Sequence, residues 1–170
     1  MQSLTELESA KIKYNKKFKQ GDYKEASIGY KLIVDMIICK HKNDDAYYDL
    51  AITCASNYAL AMKMSNEPDN IDDLDYILVE LIKFCHQHLV SEKHKTRLNR
   101  LSFNSGQIYL RHHHYARAVF YSNLGKNKSC RDLYKKANDQ YEKDFLRISG
   151  KQCMNHFDYP VALKKDGRRG

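Results

Sequence analysis

The sequence predicts an all-α protein, and three observations predict it. Only two prolines (Pro68 and Pro160) and seven glycines interrupt 170 residues, and the stretches between them are mostly helix-tolerant. Apolar residues recur at spacings of three and four, the period of one helix face. An aromatic body, a Gly-Asp-Tyr turn and a second amphipathic run make a hairpin of residues 11–30, KIKYNKKFKQGDYKEASIGY, and a related pattern returns at 102–122 as SFNSGQIYLRHHHYARAVFYS. A hairpin used twice implies an array whose work is to hold partners.

The first helix is expected over 4–20, with Leu4, Leu7, Ala10, Tyr14 and Phe18 on one face. Gly21 ends it, Asp22 supplies an N-cap oxygen for the second helix, and Glu25 stands where a capping box places it. That helix carries Tyr23, Ala26, Tyr30, Ile33 and Ile37 inward and runs toward Lys42. Asn43, Asp44 and Asp45 break the chain and cap a third helix, with Tyr47, Leu50, Cys54, Tyr58 and Met62 on its inner stripe.

NEPDN at 66–70 is the clearest loop, because Pro68 disfavours helix before it and the Asx residues favour turns. A fourth helix follows, with Leu74, Ile77, Leu78, Leu81 and Phe84 inward, and Asp72, Asp73 and Asp75 suit its positive N-terminal end. A fifth is expected over 95–111 through Leu98, Leu101, Ile108 and Tyr109. His112, His113 and His114 occupy the next turn; Tyr115, Val119 and Ser122 open a sixth helix, and Leu133, Ala137, Tyr141 and Phe145 stripe a last one over 128–148.

The expected organisation is one helical domain over 1–148, with hairpins at about 4–42, 44–90 and 95–125 and a C-terminal helix at 128–148. Residues 149–170 lack a lasting period and read as a loosely ordered basic tail. The chain is long enough to bury roughly two thirds of its unfolded surface without staples.

Charge is uneven. The net counts of Lys and Arg over Asp and Glu are +4 for 1–43, −7 for 44–90, +5 for 91–125 and +6 for 126–170. Such a field steers an acidic partner or nucleic acid to the flanks, although solvated helix faces give similar counts. Five spread cysteines without a CxxC pair read as reduced core thiols. The N-terminal stretch lacks an apolar signal core and no run reaches eighteen apolar residues, so a cytoplasmic protein without a membrane span is expected.

The chemistry-bearing motifs are few. There is no phosphate-cradling glycine loop, GxSxG elbow, HExxH or carboxylate pair in an apolar context, so no catalysis and no cofactor are expected. Consecutive histidines on a turn point apart, whereas a structural zinc wants four convergent ligands; His112 to His114 therefore read as a solvated loop and no metal is assigned. Thirteen tyrosines, often beside Lys or Arg, leave RNA binding by stacking and phosphate contacts as an alternative.

The order Asn15, Phe18, Gly21, Asp22, Tyr23, Ala26, Tyr30 resembles the tetratricopeptide repeat, and Gly106, Tyr109, Tyr115 and Ala118 offer a second copy at positions that also fit the family's spacing. Between them Asn57, Ala59 and Met62 sit in plausible places, but the NEPDN loop replaces the Gly-Tyr turn. With Asn15, Asn57 and Gln107 as equivalents the steps are 42 and 50 residues, against about 34 for the standard unit. The extended first hairpin looks like that of immunophilin-type co-chaperones.

The resemblance, which covers 8–125, implies a right-handed solenoid of about three hairpins with a concave groove. Its work would be that of a scaffold or co-chaperone-like adaptor holding a protein or peptide, including one with an acidic C-terminal tail. Members that hold such tails use a carboxylate clamp, and Lys11, Asn15, Asn57 and Arg100 fall on four of its positions, while Asn104 stands where the family has Arg. Losing that guanidinium removes a bidentate donor. The candidate groove residues are these five and Gln107. Ordinary polar residues beside a groove, and a structural subunit of a larger complex, stay open as alternatives.

Overall fold

The computed structural model describes residues 3–41, 44–65, 70–87, 92–112, 114, 117, 118 and 121, with side chains except at 82–87, 92–96, 98 and 99. Among the described residues the chain is all-helical: α1 (Leu4–Lys19), α2 (Tyr23–Lys40), α3 (Asp45–Met64), α4 (Ile71–Gln87) and α5 (Glu92–Arg111). Met1–Leu101 and Ser102–Gly170 form two compact units, the division falling within α5. The helix expected at 128–148 and the tail at 149–170 lie outside the described residues, as do most of the sixth helix and the NEPDN loop.

The turn between α1 and α2 follows from three residues. Gly21 has φ +80°, where glycine avoids the Cβ clash that penalises other residues. This lets the Gly21 amide donate to Phe18 O and the Asp22 amide to Lys17 O, both at 3.0 Å, closing α1 in a Schellman arrangement. The Asp22 side chain then accepts from Glu25 N at 3.3 Å and starts α2. Because the Asp22 amide is already used, this cap is one-sided; the reciprocal capping box lies instead at the start of α1, between Ser3 and Glu6. Phe18 and Tyr23 meet edge to face across the turn at 5.0 Å.

Within the first unit α2 packs against both α1 and α3, α1 also reaches α3, and α4 touches α2 and α3. On α1 only Leu7 of the expected stripe is buried; Leu4, Ala10, Tyr14 and Phe18 are half-covered. On α2 the core comprises Ala26, Tyr30, Ile33, Val34, Ile37 and Ile38.

Helix α3 is covered on more of its circumference than one stripe allows. Leu50, Cys54, Tyr58 and Met62 are buried, and so is a second row of Tyr48, Ile52, Ala55 and Ala59, because neighbours lie on two sides of the helix. Tyr48 therefore goes inward in place of the expected Tyr47, which is half-covered and stacks on His41 at 3.8 Å. Asp44 caps the helix by accepting from Ala46 N. Asn70 opens α4 by accepting from Asp73 N at 3.1 Å, and Leu74, Ile77, Leu78 and Leu81 are buried.

In the second unit Ile108, Tyr109, Ala118 and Tyr121 are buried. Tyr109 and Tyr121 stack at 5.5 Å, and the buried Arg117 guanidinium sits 5.1 Å from the Tyr109 ring. Arg117 Nη2 lies 2.6 Å from His114 Nδ1. Of the three histidines expected on a solvated turn, His112 is exposed, His114 is half-buried in this cluster, and His113 is outside the described residues.

Candidate functional site

Lys11 and Asn15 lie one turn apart on α1, both half-buried. The face they share turns toward α2 and α3. Tyr30 of α2 donates its hydroxyl hydrogen to Asn15 Oδ1 at 2.6 Å, and its ring is edge-on to Tyr14 at 6.4 Å. That bond orients the amide: with the oxygen engaged as acceptor, Asn15 is left to act through its Nδ2 donors.

Two buried acids surround this point. Burial pushes the Cys54 thiol up to about 12, with the Lys11 charge acting in the opposite direction across the α1–α3 contact. Burial, and then the nearby Cys54, push the Tyr30 hydroxyl up to about 12. Both stay neutral at ordinary pH, so Lys11 is the charged group of the cluster and nothing in the cluster neutralises it. Asn57, half-buried on α3, follows Cys54 by one turn. A cation beside an oriented amide is chemistry suited to a carboxylate.

The remaining candidates lie on α5. Arg100 is exposed and belongs to the first unit. Asn104 is buried and Gln107 half-buried; both belong to the second unit and already have partners. Direct geometry thus joins Lys11 and Asn15 to Tyr30 and Cys54, two residues that sequence reasoning assigned only to the core. The signal for Tyr30 was its inward position on α2; its bond to Asn15 fifteen residues away has no local signature.

A second feature had no motif at all. A cleft of about 190 Å³ opens between α2, the end of α3 and the start of α4, lined by Lys24, Ser27, Ile28, Lys31, Tyr58, Met62, Ser65, Asn70 and Asp73. Lys31 Nζ is 2.5 Å from Asp35 Oδ2 and 3.8 Å from Asp73 Oδ2. Burial works against the charged ammonium, but Asp35 and Asp73 outweigh it and raise the Lys31 pKa. Elsewhere in the unit, Arg97 of α5 pairs with Asp49 of α3.

Among the described residues no three His, Cys, Asp or Glu side chains converge as a metal site would need, and no helix is long and apolar enough to cross a membrane. No family model, curated protein or solved structure matches this chain.

Proposed function

We propose that the chain is a non-catalytic protein-interaction module, a tetratricopeptide-like array of helix hairpins whose α1 face receives an acidic peptide or protein segment. One observation carries this reading: Tyr30 holds Asn15 as a donor beside Lys11, on a face directed at α3. The hairpin geometry supports it. Gly21 makes the tight turn, Ala26 is fully buried, and α3 packs against both helices of the first hairpin, as a first helix of a following repeat would.

The test is a fluorescence-anisotropy titration with a labelled peptide ending in acidic residues and a free carboxylate, against the same peptide amidated. A charge-assisted bond contributes about 1.5–3 kcal/mol, so Lys11→Ala should weaken binding at least tenfold, with a smaller loss for Asn15→Ala. Absence of binding to the wild-type chain, or equal affinity for the amidated peptide, defeats the proposal.

A further inference from the structure

Helix α1 is seated by one side and leaves the other to solvent. Leu7 is buried, Tyr14 packs over Gly29 and meets Tyr30, Phe18 meets Tyr23, and Lys11 and Asn15 share this covered side. The opposite side carries Ile12, Lys13, Lys16 and Lys19, all exposed. Lys13, Lys16 and Lys19 follow one another at three-residue steps and Ile12 stands four residues before Lys16, so the four share one face. Ile12, 66 % exposed, is the most exposed large apolar side chain among the described residues.

The charge of this face has one sign. Residues 9–21 contain five lysines and no acid, with the half-covered Lys17 on the flank of the stripe. The acids of α1, Glu6 and Glu8, stand in its first turns, and Glu6 is engaged with Ser3 in the capping box. Among the described residues no lysine of α1 enters an ion pair. Lys13 Nζ leans over the Tyr14 ring at 5.4 Å from its centroid, an exposed contact weak enough to yield to an anion.

Anionic partners differ in what they ask of such a face. Protein interfaces are depleted in lysine and built on aromatic or Arg anchors. Nucleic acids favour the bidentate fork of Arg and, in single strands, exposed rings on which bases stack. Neither is present here: the first arginine of the chain is Arg97, on α5, and the rings of α1, Tyr14 and Phe18, are turned to α2. An acidic lipid surface asks only for lysines spread along a helix and an aliphatic group that enters the acyl boundary, where the lysine stems also lie. Ile12 among Lys13, Lys16 and Lys19 supplies both.

We infer that the outer face of α1 rests on an anionic lipid surface, with Lys13, Lys16 and Lys19 at the headgroups and Ile12 at the acyl boundary. The contact is independent of the acidic-peptide site, because Lys11 and Asn15 lie on the covered side of the helix.

Flotation of the full chain with phosphatidylcholine vesicles, with and without phosphatidylserine, tests the inference. Binding should require phosphatidylserine and weaken as salt rises. Each lysine is worth about fivefold in affinity at an acidic surface, so Lys13→Gln/Lys16→Gln/Lys19→Gln should lose roughly a hundredfold. Ile12→Ser should lose about tenfold. All four positions are exposed, and an unchanged circular-dichroism signal checks that the variants fold. The chain has no Trp, so Ile12→Trp supplies a single reporter whose emission should shift to the blue on phosphatidylserine vesicles. Lys11→Ala should bind vesicles as the wild type does, which separates this face from the acidic-peptide site. No binding to phosphatidylserine vesicles, equal binding without phosphatidylserine, or undiminished binding of the triple lysine variant overturns the inference. Tighter binding of an RNA duplex, abolished in the triple variant and indifferent to Ile12→Ser, assigns the face to nucleic acid and overturns it as well.

Discussion

Replacing Gly29 by Ala in the middle of α2 tests whether α1 is seated as described. On helix propensity alone the change is favourable by about 1 kcal/mol, since glycine is a poor residue for a helix interior. The structure reverses the sign. A Cβ at Gly29 would stand 2.2 Å from Cγ and Cδ1 of Tyr14 and 2.3 Å from Cε1, whereas carbon atoms rest at about 3.5–4.0 Å. The obstruction is the root of an aromatic ring, which cannot yield as the tip of a flexible side chain does. Either α1 moves away from α2 or the Tyr14 ring swings out and forfeits its edge contact with Tyr30.

Overpacking of this kind costs about 1–3 kcal/mol, and the depth of the overlap places it in the upper part of that range. After subtracting the propensity gain, Gly29→Ala should lose about 1–2 kcal/mol. In a Tyr14→Ala background the obstruction is gone, and the same substitution should gain about 1 kcal/mol. Urea denaturation followed by far-UV circular dichroism measures both, with midpoints compared at constant slope and combined in a double-mutant cycle. A single variant as stable as wild type, or the same sign in both backgrounds, refutes the packing of Tyr14 over Gly29.

Gly21 offers a contrast, because nothing lies within 4 Å of a Cβ built there and its φ is +80°. Gly21→Ala should cost about 1–2 kcal/mol from backbone strain alone, and Gly21→Asn less; no loss in the same urea assay would refute the left-handed turn. The alkaline limit of stability is set partly by Cys54 and Tyr30, whose pKa values rise from 9.0 and 10.0 to about 12 on folding, chiefly through burial. The unfolded chain therefore releases protons that the folded chain keeps, so this stability is complete below pH 9 and is lost as pH rises toward 12. Urea midpoints taken through that range should fall, and Cys54→Ala/Tyr30→Phe should flatten the decline; an unchanged slope in the double variant would refute the assignment.

Local signals were enough for much of the fold. Asp22 and Asp44, the expected caps, each accept from a backbone amide two or three residues on, and so does Asn70, which was expected only as part of a loop; this capping needs no tertiary partner. Of the expected stripes, Ala26, Tyr30, Ile33 and Ile37 of α2 and Leu74, Ile77, Leu78 and Leu81 of α4 are buried, Tyr23 is half-covered, and the Phe84 side chain lies outside the described residues; a helix covered on one side shows its inner face in its own sequence. Helix α3 departs from its stripe because two rows are buried, and a helix with neighbours on two sides carries apolar and small residues most of the way round. Of the candidate site, Lys11 and Asn15 were named through the resemblance to the carboxylate clamp, and their spacing of one turn puts them on one face of α1. Tyr30 and the Lys31–Asp73 pair were not legible, since their partners come from other helices.

The sequence by itself therefore determined the helical class, the Gly21–Asp22 turn and the caps, because these depend on backbone preferences and contacts within a few residues. The tertiary structure alone decided that Gly29 is small to admit the Tyr14 ring, that Tyr30 turns Asn15 into a donor beside Lys11, and that Ile28 of α2, Tyr58 and Met62 of α3 and Asp73 of α4 line one cleft. Each of these is a distance between residues far apart in the chain. Local preference carries no information about such distances until α1, α2, α3 and α4 pack together.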